Sequence, residues 1–408
     1  MRIAIIGAGF TGLTTALRFS QKGHAVTIFE KEKFCGGLAA GFKEKNWDWY
    51  LEYFFHHLFT SDSATKNLIS ELGLSEKFFY LCPKTSIFYK GKISQFDSPL
   101  SLLTFPHLNL SDKLRTGLVT FYLKSINKWK SFENITASDW LKKYYGSNPY
   151  QILWKPLLKS KFGDKADKIS MSWFWARIKK RSTKLGYLEG GLQVLIDKLV
   201  EKIKQNGGQI HLDSEIKNFN DLNHQSKFER LIITTPAQQF FKKMTVPEML
   251  GAINLILILK EKFLTDGTYW LNINEPGFPF VAVVEHTNFI DPKHYGGNHL
   301  LYVGGYYPQN HRYFKMTKEQ IFKEFLPYLK KINPSFNFQL YAIRYTLYAN
   351  LQAQPLMPVN YSSVILPHKT SIPNVYLANM QQIFPWDRGI NYAIELGNKI
   401  ATLVHKNR

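Results

Sequence analysis

The sequence predicts an α/β protein with a Rossmann-like dinucleotide-binding domain and a second, intertwined α+β domain. Three observations support this fold class. A strand, a glycine-rich turn, a helix and a second strand follow one another within the first thirty residues. A chain of 408 residues can bury a large core and commonly divides into two domains. The pattern is largely helical over residues 41–185, with Ser61, Ser111 and Thr136 as candidate helix caps, and mixed over residues 241–364.

The first thirty residues form one structural unit. Residues 2–6 and 25–29 are short apolar runs with the composition of buried strands. Residues 13–22, between these runs, predict a helix. The order of these elements is that of a βαβ unit that binds a dinucleotide: strand, glycine turn, helix, strand and a final acid.

Four residues of this unit have separate roles in binding a dinucleotide. Gly7 permits the tight turn, Gly9 lets the backbone approach a pyrophosphate, and Gly12 allows close packing of helix on strand. The helix N-terminus after this turn presents N–H groups and a positive dipole end to the phosphates. Glu30 ends the second strand, where its carboxylate can accept hydrogen bonds from a ribose diol and would repel a 2′-phosphate.

A second glycine pair follows the acid. Glu30 and Lys31 lead within a few residues to Gly36 and Gly37, with Leu38 directly after them. A nicotinamide enzyme has no need of this pair. In the flavoprotein group that contains monoamine oxidase, protoporphyrinogen oxidase and phytoene desaturase, an acid followed by a Gly-Gly turn carries the chain beneath FAD.

The sequence resembles that flavoprotein group, and the similar segments are spread along the chain. They lie at residues 1–40, 186–192, 207–216, 231–236, 374–380 and 386–393. The resemblance implies an FAD-binding domain in three pieces, 1–40, 186–240 and 365–408. The substrate domain would then comprise 41–185 and 241–364, with substrate bound between the domains. The residues that it assigns to FAD are Gly7, Ala8, Gly9, Gly12, Glu30, Lys31, Gly36, Gly37, Leu38, Ile216, Thr235, Met380, Gly389, Ile390 and Asn391.

One motif departs from the family pattern. The family usually has Gly-Asp where the flavin site closes, and the acid bonds the flavin ribityl chain or pyrophosphate. Asn379 and Met380 stand there in this chain, and Met380 cannot bond in that way. Backbone N–H groups or the nearby Asp387 are the candidates to replace the missing carboxylate. The helix start at Gly389 keeps the family pattern and would stabilise negative charge on the flavin's pyrimidine edge.

Cysteine usage and hydropathy indicate a reducing compartment and no membrane span. Cys35 and Cys82 are the two cysteines, which excludes a disulfide scaffold and favours a cytoplasmic location. Cys35 lies beside the second glycine pair, so it is either a small buried filler or the site of a covalent flavin link. The apolar N-terminus runs directly into the glycine turn and is not interpreted as a signal peptide. No apolar run reaches the ~18 residues of a spanning helix.

The net charge of +21 is unevenly distributed. Residues 113–184 contain seventeen lysines and arginines against four acids, with apolar and aromatic residues between them. This pattern suits peripheral docking on the anionic inner face of a membrane, a phosphate-bearing substrate, or a solvated basic surface. Nucleic acid is not expected as a partner, because no recognition motif accompanies the charge.

Candidates for chemistry beyond the cofactor are few. His56 and His57 follow the second glycine pair, and either could act as a general base near neutral pH or be purely structural. In an extended segment the two rings would point to opposite sides, so at most one would face the flavin. Arg177 and Lys155 could bind an anionic group of the substrate or lie on the surface. No metal site is expected, because no further ligand has suitable spacing.

Three functions fit these observations. The first is an FAD-dependent oxidase, desaturase or dehydrogenase that transfers hydride from a largely apolar substrate to flavin N5. The second is a flavin-dependent mutase similar to UDP-galactopyranose mutase, for which Arg388 is the candidate for the arginine near the closing motif. The third is a flavin-bound or empty scaffold that binds a membrane or a partner through its basic face.

Overall fold

The computed structural model describes residues 1–222, 228–241 and 246–406. Strands in these residues are β1 Arg2–Ile6, β2 Ala25–Phe29, β3 Gly41–Phe42, β4 Leu51–Glu52, β5 Leu58–Phe59, β6 Phe78–Leu81, β7 Lys84–Tyr89, β8 Lys92–Gln95, β9 Leu185–Leu188, β10 Gln209–His211, β11 Arg230–Ile233, β12 Met249–Leu259, β13 Thr268–Ile273, β14 Ala282–Glu285, β15 His299–Tyr307, β16 Ala342–Pro355 and β17 Val375–Leu377. Helices are α1 Phe10–Ser20, α2 Ser63–Glu71, α3 Pro99–Thr104, α4 Leu110–Ser125, α5 Ala137–Tyr145, α6 Ser147–Pro149, α7 Lys155–Phe162, α8 Met171–Lys180, α9 Gln193–Gln205, α10 Lys318–Ile332, α11 Phe338–Tyr341 and α12 Ile390–Lys406.

A five-stranded parallel sheet carries the glycine turns. Its order is β10-β2-β1-β11-β17. Alternate residues of β1 are buried on opposite faces: Ile3 and Ile5 join the core formed with α1, α9 and α12, whereas Ala4 and Ile6 join a smaller core. Both faces are therefore covered, as a parallel sheet requires. The sheet and its helices confirm the predicted α/β class.

A second, seven-stranded sheet has the order β16-β12-β15-β14-β13-β7-β8. All of its pairs are antiparallel except β13 with β7. Every residue of β12 is buried. One side of this strand packs on α10, and the other side contributes to the core that α1, α9 and α12 form with the parallel sheet. Helices α3 to α8 lie beside this sheet and enclose a third core rich in tryptophan and tyrosine.

Two expectations about local structure need correction. The stretch 41–185 is not largely helical throughout, because residues 41–98 contribute six strands. The hairpin β7–β8 turns at Lys90 and Gly91, which both have positive φ. The hairpin is part of the second sheet. Ser61 and Ser111 do not cap helices: Asp62 precedes α2 and Asn109 caps α4. Thr136 is the N-cap of α5, as expected. The boundaries of the five chain pieces remain a prediction.

The buried residue Glu52 connects β9 and the start of α9 to β15 of the second sheet. Glu52 is 1% exposed and accepts hydrogen bonds from the Tyr187 hydroxyl and the Leu192 backbone N–H, both at 2.7 Å. The Tyr302 hydroxyl of β15 donates to the Glu52 backbone carbonyl. Burial raises the pKa of Glu52 to about 7, against the lowering effect of its hydrogen bonds.

We expect Glu52 to make stability depend on pH. Between pH 4.5, its ordinary value, and about pH 7, the folded state holds a proton that the unfolded state has lost. The free energy of unfolding should therefore fall as pH rises through this window, by an amount on the order of 3 kcal/mol. Denaturant unfolding at pH 4.5 and at about pH 8 should show a smaller loss in Glu52→Gln than in wild type. The buried Glu285, whose pKa burial also raises to about 7, contributes its own loss in both proteins.

The exposed Glu32→Gln variant is the matched control, and it should retain the wild-type pH dependence. An equal pH dependence in wild type and Glu52→Gln would contradict the assignment to Glu52.

Candidate functional site

The first glycine turn has the shape of a phosphate-binding site. Gly7 has a φ of +101°, and its N–H donates to the Phe29 carbonyl at 2.8 Å. A Cβ at Gly12 would lie 2.0 Å from the Gly7 carbonyl oxygen, so only glycine permits this contact between α1 and β1. A Cβ at Gly9 would have no protein atom within 4 Å. Open space therefore lies in front of Gly9, at the N-terminus of α1, where no side chain caps the helix.

The second glycine turn packs directly on the first. The Gly36 N–H donates to the Ala8 carbonyl at 2.8 Å, and Gly36 pairs with Gly9 as an isolated parallel bridge. Gly36 has a φ of +120°. A Cβ at Gly37 would approach the Gly9 Cα at 3.4 Å. We call the five glycines of the two turns the glycine cradle, which comprises Gly7, Gly9, Gly12, Gly36 and Gly37.

Cys35 adjoins the glycine cradle but is buried in the core. It is 8% exposed, and burial raises the pKa of its thiol to about 11. A thiol with this pKa stays protonated at neutral pH and is a poor nucleophile. The structure therefore supports the interpretation of Cys35 as a buried filler rather than as a flavin attachment site.

The acid at the end of β2 is bound to the backbone. Glu30 is buried, and its carboxylate accepts the Ala8 N–H at 2.7 Å and the Glu32 N–H at 3.0 Å. These bonds fix the carboxylate against the glycine cradle, and a ribose could reach only its remaining acceptor positions. Lys31 is exposed and pairs with Glu32. Ile216 is buried in the smaller core beside β10 and β11.

The departure at the closing motif has a structural role. Asn379 caps a short turn and its side-chain amide donates to the Thr235 carbonyl at 2.9 Å, which joins the ends of β17 and β11. Met380 is partly buried against the main core. The Thr235 hydroxyl lies next to the Gly7 turn and is buried without a protein partner. A buried hydroxyl with no partner fits a site that a ligand completes.

A cavity of about 200 Å³ lies between the parallel sheet's helices and the second sheet. It brings together seven site residues that the sequence analysis selected, from four distant segments: Leu38, His56, His57, Arg177, Gly389, Ile390 and Asn391. One wall is apolar and aromatic, formed by Phe54, Phe55, Ile253 and Trp270. Lys155 is not part of the cavity, because it is exposed and its ammonium donates to Gln151 at the surface. The proposed substrate contact at Lys155 is therefore corrected.

Both histidines line the cavity. Residues 53–57 bend instead of forming a strand, so the two rings need not alternate. His56 Nδ1 lies 2.6 Å from the Phe54 carbonyl, whereas His57 Nδ1 is buried without a partner. Burial lowers the pKa of His56 to about 4 and that of His57 to about 3. The expectation of an imidazole that titrates near neutral pH is wrong, and both rings are neutral at pH 7.

A group of charges at the polar end of the cavity was missed by the sequence analysis. Asp387 accepts bonds from Lys161 at 2.9 Å, from Arg177 at 3.3 Å and from the Trp173 indole at 3.2 Å. We call Asp387, Lys161 and Arg177 the ion cluster. Burial alone would raise the pKa of Asp387, but the two cations outweigh it and hold that pKa well below its ordinary value. Asp387 is thus committed to these cations, which argues against its replacing the missing carboxylate of the closing motif.

The surroundings of Lys161 in the ion cluster shift the pKa of its ammonium group. Its side chain is 9% exposed, and its ammonium lies 4.9 Å from the centre of the Trp173 ring. Burial lowers its pKa to about 7, although the charge of Asp387 opposes this effect. Near neutral pH, Lys161 can therefore change its charge in response to a ligand.

The last helix begins at the cavity. Arg388 donates to the Gln354 side chain at 3.1 Å and to the Tyr306 hydroxyl at 3.0 Å. A Cβ at Gly389 would have no neighbour within 4 Å, and Ile390 starts α12. Asn391 accepts the Thr65 N–H and donates to Glu395, which holds α12 against α2. An open helix N-terminus thus faces the cavity.

The part of the chain that the structure describes contains neither a cluster of metal-ligating side chains nor a helix that could span a membrane. Among residues 1–222, 228–241 and 246–406, no three His, Cys, Asp or Glu side chains are grouped so that they could hold a metal ion. In the same ranges, no helix has the length and apolar character needed to cross a membrane.

The glycine cradle, with the adjoining cavity, has the geometry of a dinucleotide-binding protein. Residues 10–405 match the family described as flavin containing amine oxidoreductase, and the chain belongs to that family. The open space at Gly9, the partnerless Thr235 hydroxyl and the uncapped start of α1 fit its cofactor. The predicted family and FAD cofactor are confirmed, as is the oxidoreductase class at the level of the family.

Individual relatives are more distant. The chain is 26% identical to the 15-cis-phytoene desaturase of Capsicum annuum over 262 residues, which cover 57% of this chain and 44% of that protein. It is 24% identical to the zeta-carotene desaturase of Solanum lycopersicum over 241 residues, which cover 52% and 41%. The matched region thus spans less than half the length of either desaturase.

Several solved structures share the whole fold. A candidate protoporphyrinogen oxidase from Exiguobacterium sp. 255-15 superposes with a TM-score of 0.76 at 15% identity, over 100% of this chain and 99% of that one. Reduced UDP-galactopyranose mutase has a TM-score of 0.74 at 14% identity, over 100% and 96%. Cyclohexylamine oxidase from Brevibacterium oxydans IH-35A has a TM-score of 0.73 at 13% identity, over 100% and 99%. At these identities the likeness shows the fold alone.

The cradle geometry predicts different effects for two glycine substitutions. Gly9→Ala should fold normally, because its Cβ meets no protein atom, but its methyl group would occupy the space for the cofactor. We expect at least about tenfold weaker FAD binding with an unchanged melting temperature of the apoprotein. Gly12→Ala should lower that melting temperature, since its Cβ would clash with the Gly7 carbonyl.

Flavin absorbance after gel filtration and titration of the apoprotein with FAD measure both effects. Gly117→Ala on α4 is the control, because its Cβ would make only an ordinary contact at 3.8 Å. Full flavin retention by Gly9→Ala would contradict the placement of the cofactor.

Proposed function

We propose that the protein is an FAD-dependent oxidoreductase, of oxidase, desaturase or dehydrogenase type, that acts on a substrate held in the cavity. When bound, FAD would accept a hydride at flavin N5 from a substrate carbon. The observation that carries the proposal is the convergence of Leu38, Ile390 and the aromatic wall on one cavity. These residues come from the second glycine turn, the last helix and the second sheet, and a substrate there would lie beside the cofactor.

We assign the following roles in holding FAD. Gly7, Ala8, Gly9 and Gly12 would bind the pyrophosphate, Glu30 and Lys31 the ribose, and Ile216 and Thr235 the adenine side. The second turn, with Gly36, Gly37 and Leu38, would support the flavin, together with Met380 and the helix start at Gly389, Ile390 and Asn391. These roles are supported by the geometry of the two turns and by the helix starts at Phe10 and Ile390, which lie beside glycines with open space around them.

The chain's own residues would orient the substrate and exclude water. Phe55 and Trp270 pack edge to face with ring centres 4.7 Å apart and form a dry wall. The partnerless Nδ1 of neutral His57 can accept a hydrogen bond or donate one, and we propose that it orients a polar group of the substrate. With pKa values far below neutrality, His56 and His57 would not hold the proton released at pH 7.

The charges of the cavity favour a substrate that is partly apolar and partly anionic. Five basic side chains line it against two acidic ones, Asp62 and Asp387; the basic ones are Lys161, Arg177, Lys180, Arg181 and Arg388. Burial lowers the pKa of Arg181 to about 10, a value at which the guanidinium stays charged at pH 7. An anionic group, such as a phosphate, would relieve the repulsion among these cations.

The same cations keep a second candidate function open. A flavin-dependent mutase acts on a sugar carried by a nucleotide diphosphate, and Arg388 lies in the cavity next to the helix start. Such a reaction involves no net oxidation. The two candidates therefore differ in whether the flavin must first be reduced chemically.

The visible absorption spectrum of the purified protein is the first test. A flavin band that bleaches anaerobically when an apolar, anionic substrate is added, without a reductant, would support the oxidoreductase. Turnover only after dithionite reduction, with no change in the flavin's redox state, would favour the mutase. A protein without a flavin band even after addition of FAD would be a scaffold, and both enzyme proposals would fail.

The pKa of Lys161 gives a pH dependence of anion binding. Lys161 is charged below about pH 7 and neutral above it, so sulfate should bind the holoprotein more tightly at low than at high pH. Sulfate keeps its own charge over this range. Perturbation of the flavin spectrum by sulfate provides the measurement, and Lys161→Gln should bind sulfate several-fold more weakly with a flatter pH profile.

Lys155→Gln is the matched control on the same helix, and we expect wild-type sulfate affinity for it. The same pH dependence in wild type and Lys161→Gln would show that another group controls anion binding.

A further inference from the structure

Helices α3 and α4 present an apolar surface to the solvent. Seven large side chains of these helices are more than half exposed. Tyr122, at 51%, lies beside Arg115 on the helical wheel. The other six range from 52% for Leu103 to 73% for Phe121; they are Leu100, Leu103, Leu110, Leu114, Leu118 and Phe121. We call these six residues the docking face. Isolated exposed leucines are ordinary, but six on two adjacent helices form a contiguous patch of the kind that marks an interaction site.

The arrangement of the docking face follows from helix geometry. At about 100° per residue, Leu110, Leu114, Leu118 and Phe121 of α4 fall within an arc of about 80°. The opposite side of α4 is anchored in the protein through the buried Thr116 and Leu123. Leu102 of α3 packs near Gly117, which lies at the edge of this arc, so α3 runs beside the apolar stripe of α4. The helix is therefore amphipathic, with an outward apolar stripe.

Positive charge flanks the docking face. On the helical wheel, Lys113 and Lys124 lie on one side of the apolar arc and Arg115 on the other. Lys113 reaches the Leu103 carbonyl at 2.8 Å, which ties α4 to α3. The acid of α4, Asp112, projects from the side away from the stripe and accepts a bond from Asn148.

We propose that the docking face inserts into the surface of an anionic lipid bilayer. An apolar stripe between cations suits the acyl boundary and the headgroups of such a membrane. Charge complementarity favours this occupant over a second copy of the chain, because two copies would bring like charges together across the interface. The proposal extends the peripheral attachment that the basic segment 113–184 predicts, and it does not depend on the chemistry proposed for the cavity.

Docking by this face would place the cavity close to the bilayer. Helix α4 packs against α8, and Ala176, Arg177 and Lys180 of α8 line the cavity. The Lys124 ammonium donates to the Arg181 carbonyl at 2.9 Å, and Arg181 also lines the cavity. A single helix layer thus separates the docking face from the site, so a substrate dissolved in the membrane would have a short path to it.

Vesicle sedimentation with the full-length holoprotein tests the proposal. The probes are vesicles of phosphatidylcholine alone and vesicles in which one lipid in three is phosphatidylglycerol. We expect wild type to bind the anionic vesicles at least about tenfold more tightly than the neutral ones, and high salt to weaken this binding. The triple variant Leu114→Ser, Leu118→Ser and Phe121→Ser should bind at least about tenfold more weakly than wild type.

A triple serine variant of Leu340, Ile343 and Leu351 is the matched control, because these residues are about as exposed but lie far along the chain, in α11 and β16. It should bind vesicles as wild type does. Flavin absorbance and melting temperature should be unchanged in both variants, which separates this result from any failure of the cofactor site.

Three outcomes would overturn the proposal. The first is a wild type that does not sediment with anionic vesicles. The second is equal binding by the two triple variants. The third is a wild-type dimer, detected by light scattering, that the docking-face variant converts to a monomer; the occupant is then a second copy of the chain.

Discussion

The ion cluster is the interaction on which the geometry of the cavity depends. Asp387 precedes α12, whereas Lys161 and Arg177 lie on α7 and α8. The Asp387 carboxylate therefore connects α7 and α8 to the start of α12. Leaving a buried charge without its partners is expensive, so the three residues hold one another in place. Because α12 also packs on α1, the cluster links the charged end of the cavity to the glycine cradle.

The parts of the site that the sequence predicts are those determined by local geometry. The glycine cradle follows from turns whose backbone conformation only certain residues adopt, and Gly7, Gly12 and Gly36 have the contacts or φ values expected of such turns. The observed limits of β1 and β2 agree with the predicted ones, because a short apolar run between turn signals leaves few alternative positions for a strand. The helix after the first turn begins three residues earlier than expected, at Phe10, directly after Gly9 of the turn.

The ion cluster could not be predicted, because its members are separated by up to 226 residues. Lys155 and Lys161 each lie three residues from the buried Leu158, so the apolar period of α7 does not distinguish them. The position of Asp387 decides which lysine is buried, and that position follows from tertiary packing. The pKa values of His56 and His57 were misjudged for a related reason, since burial is not visible in the sequence around them.

The parallel sheet has a consequence for how the chain reaches its folded state. Strand β1 pairs with β2 next to it in sequence and with β11 more than two hundred residues later, and β17 joins beyond β11. The nucleotide-binding edge is therefore incomplete until the last described helix, α12, has been synthesised and can pack on α1. Such long-range closure is slow and leaves apolar strand surfaces exposed during synthesis. A cell that makes this protein has to protect those surfaces for most of the time that translation takes.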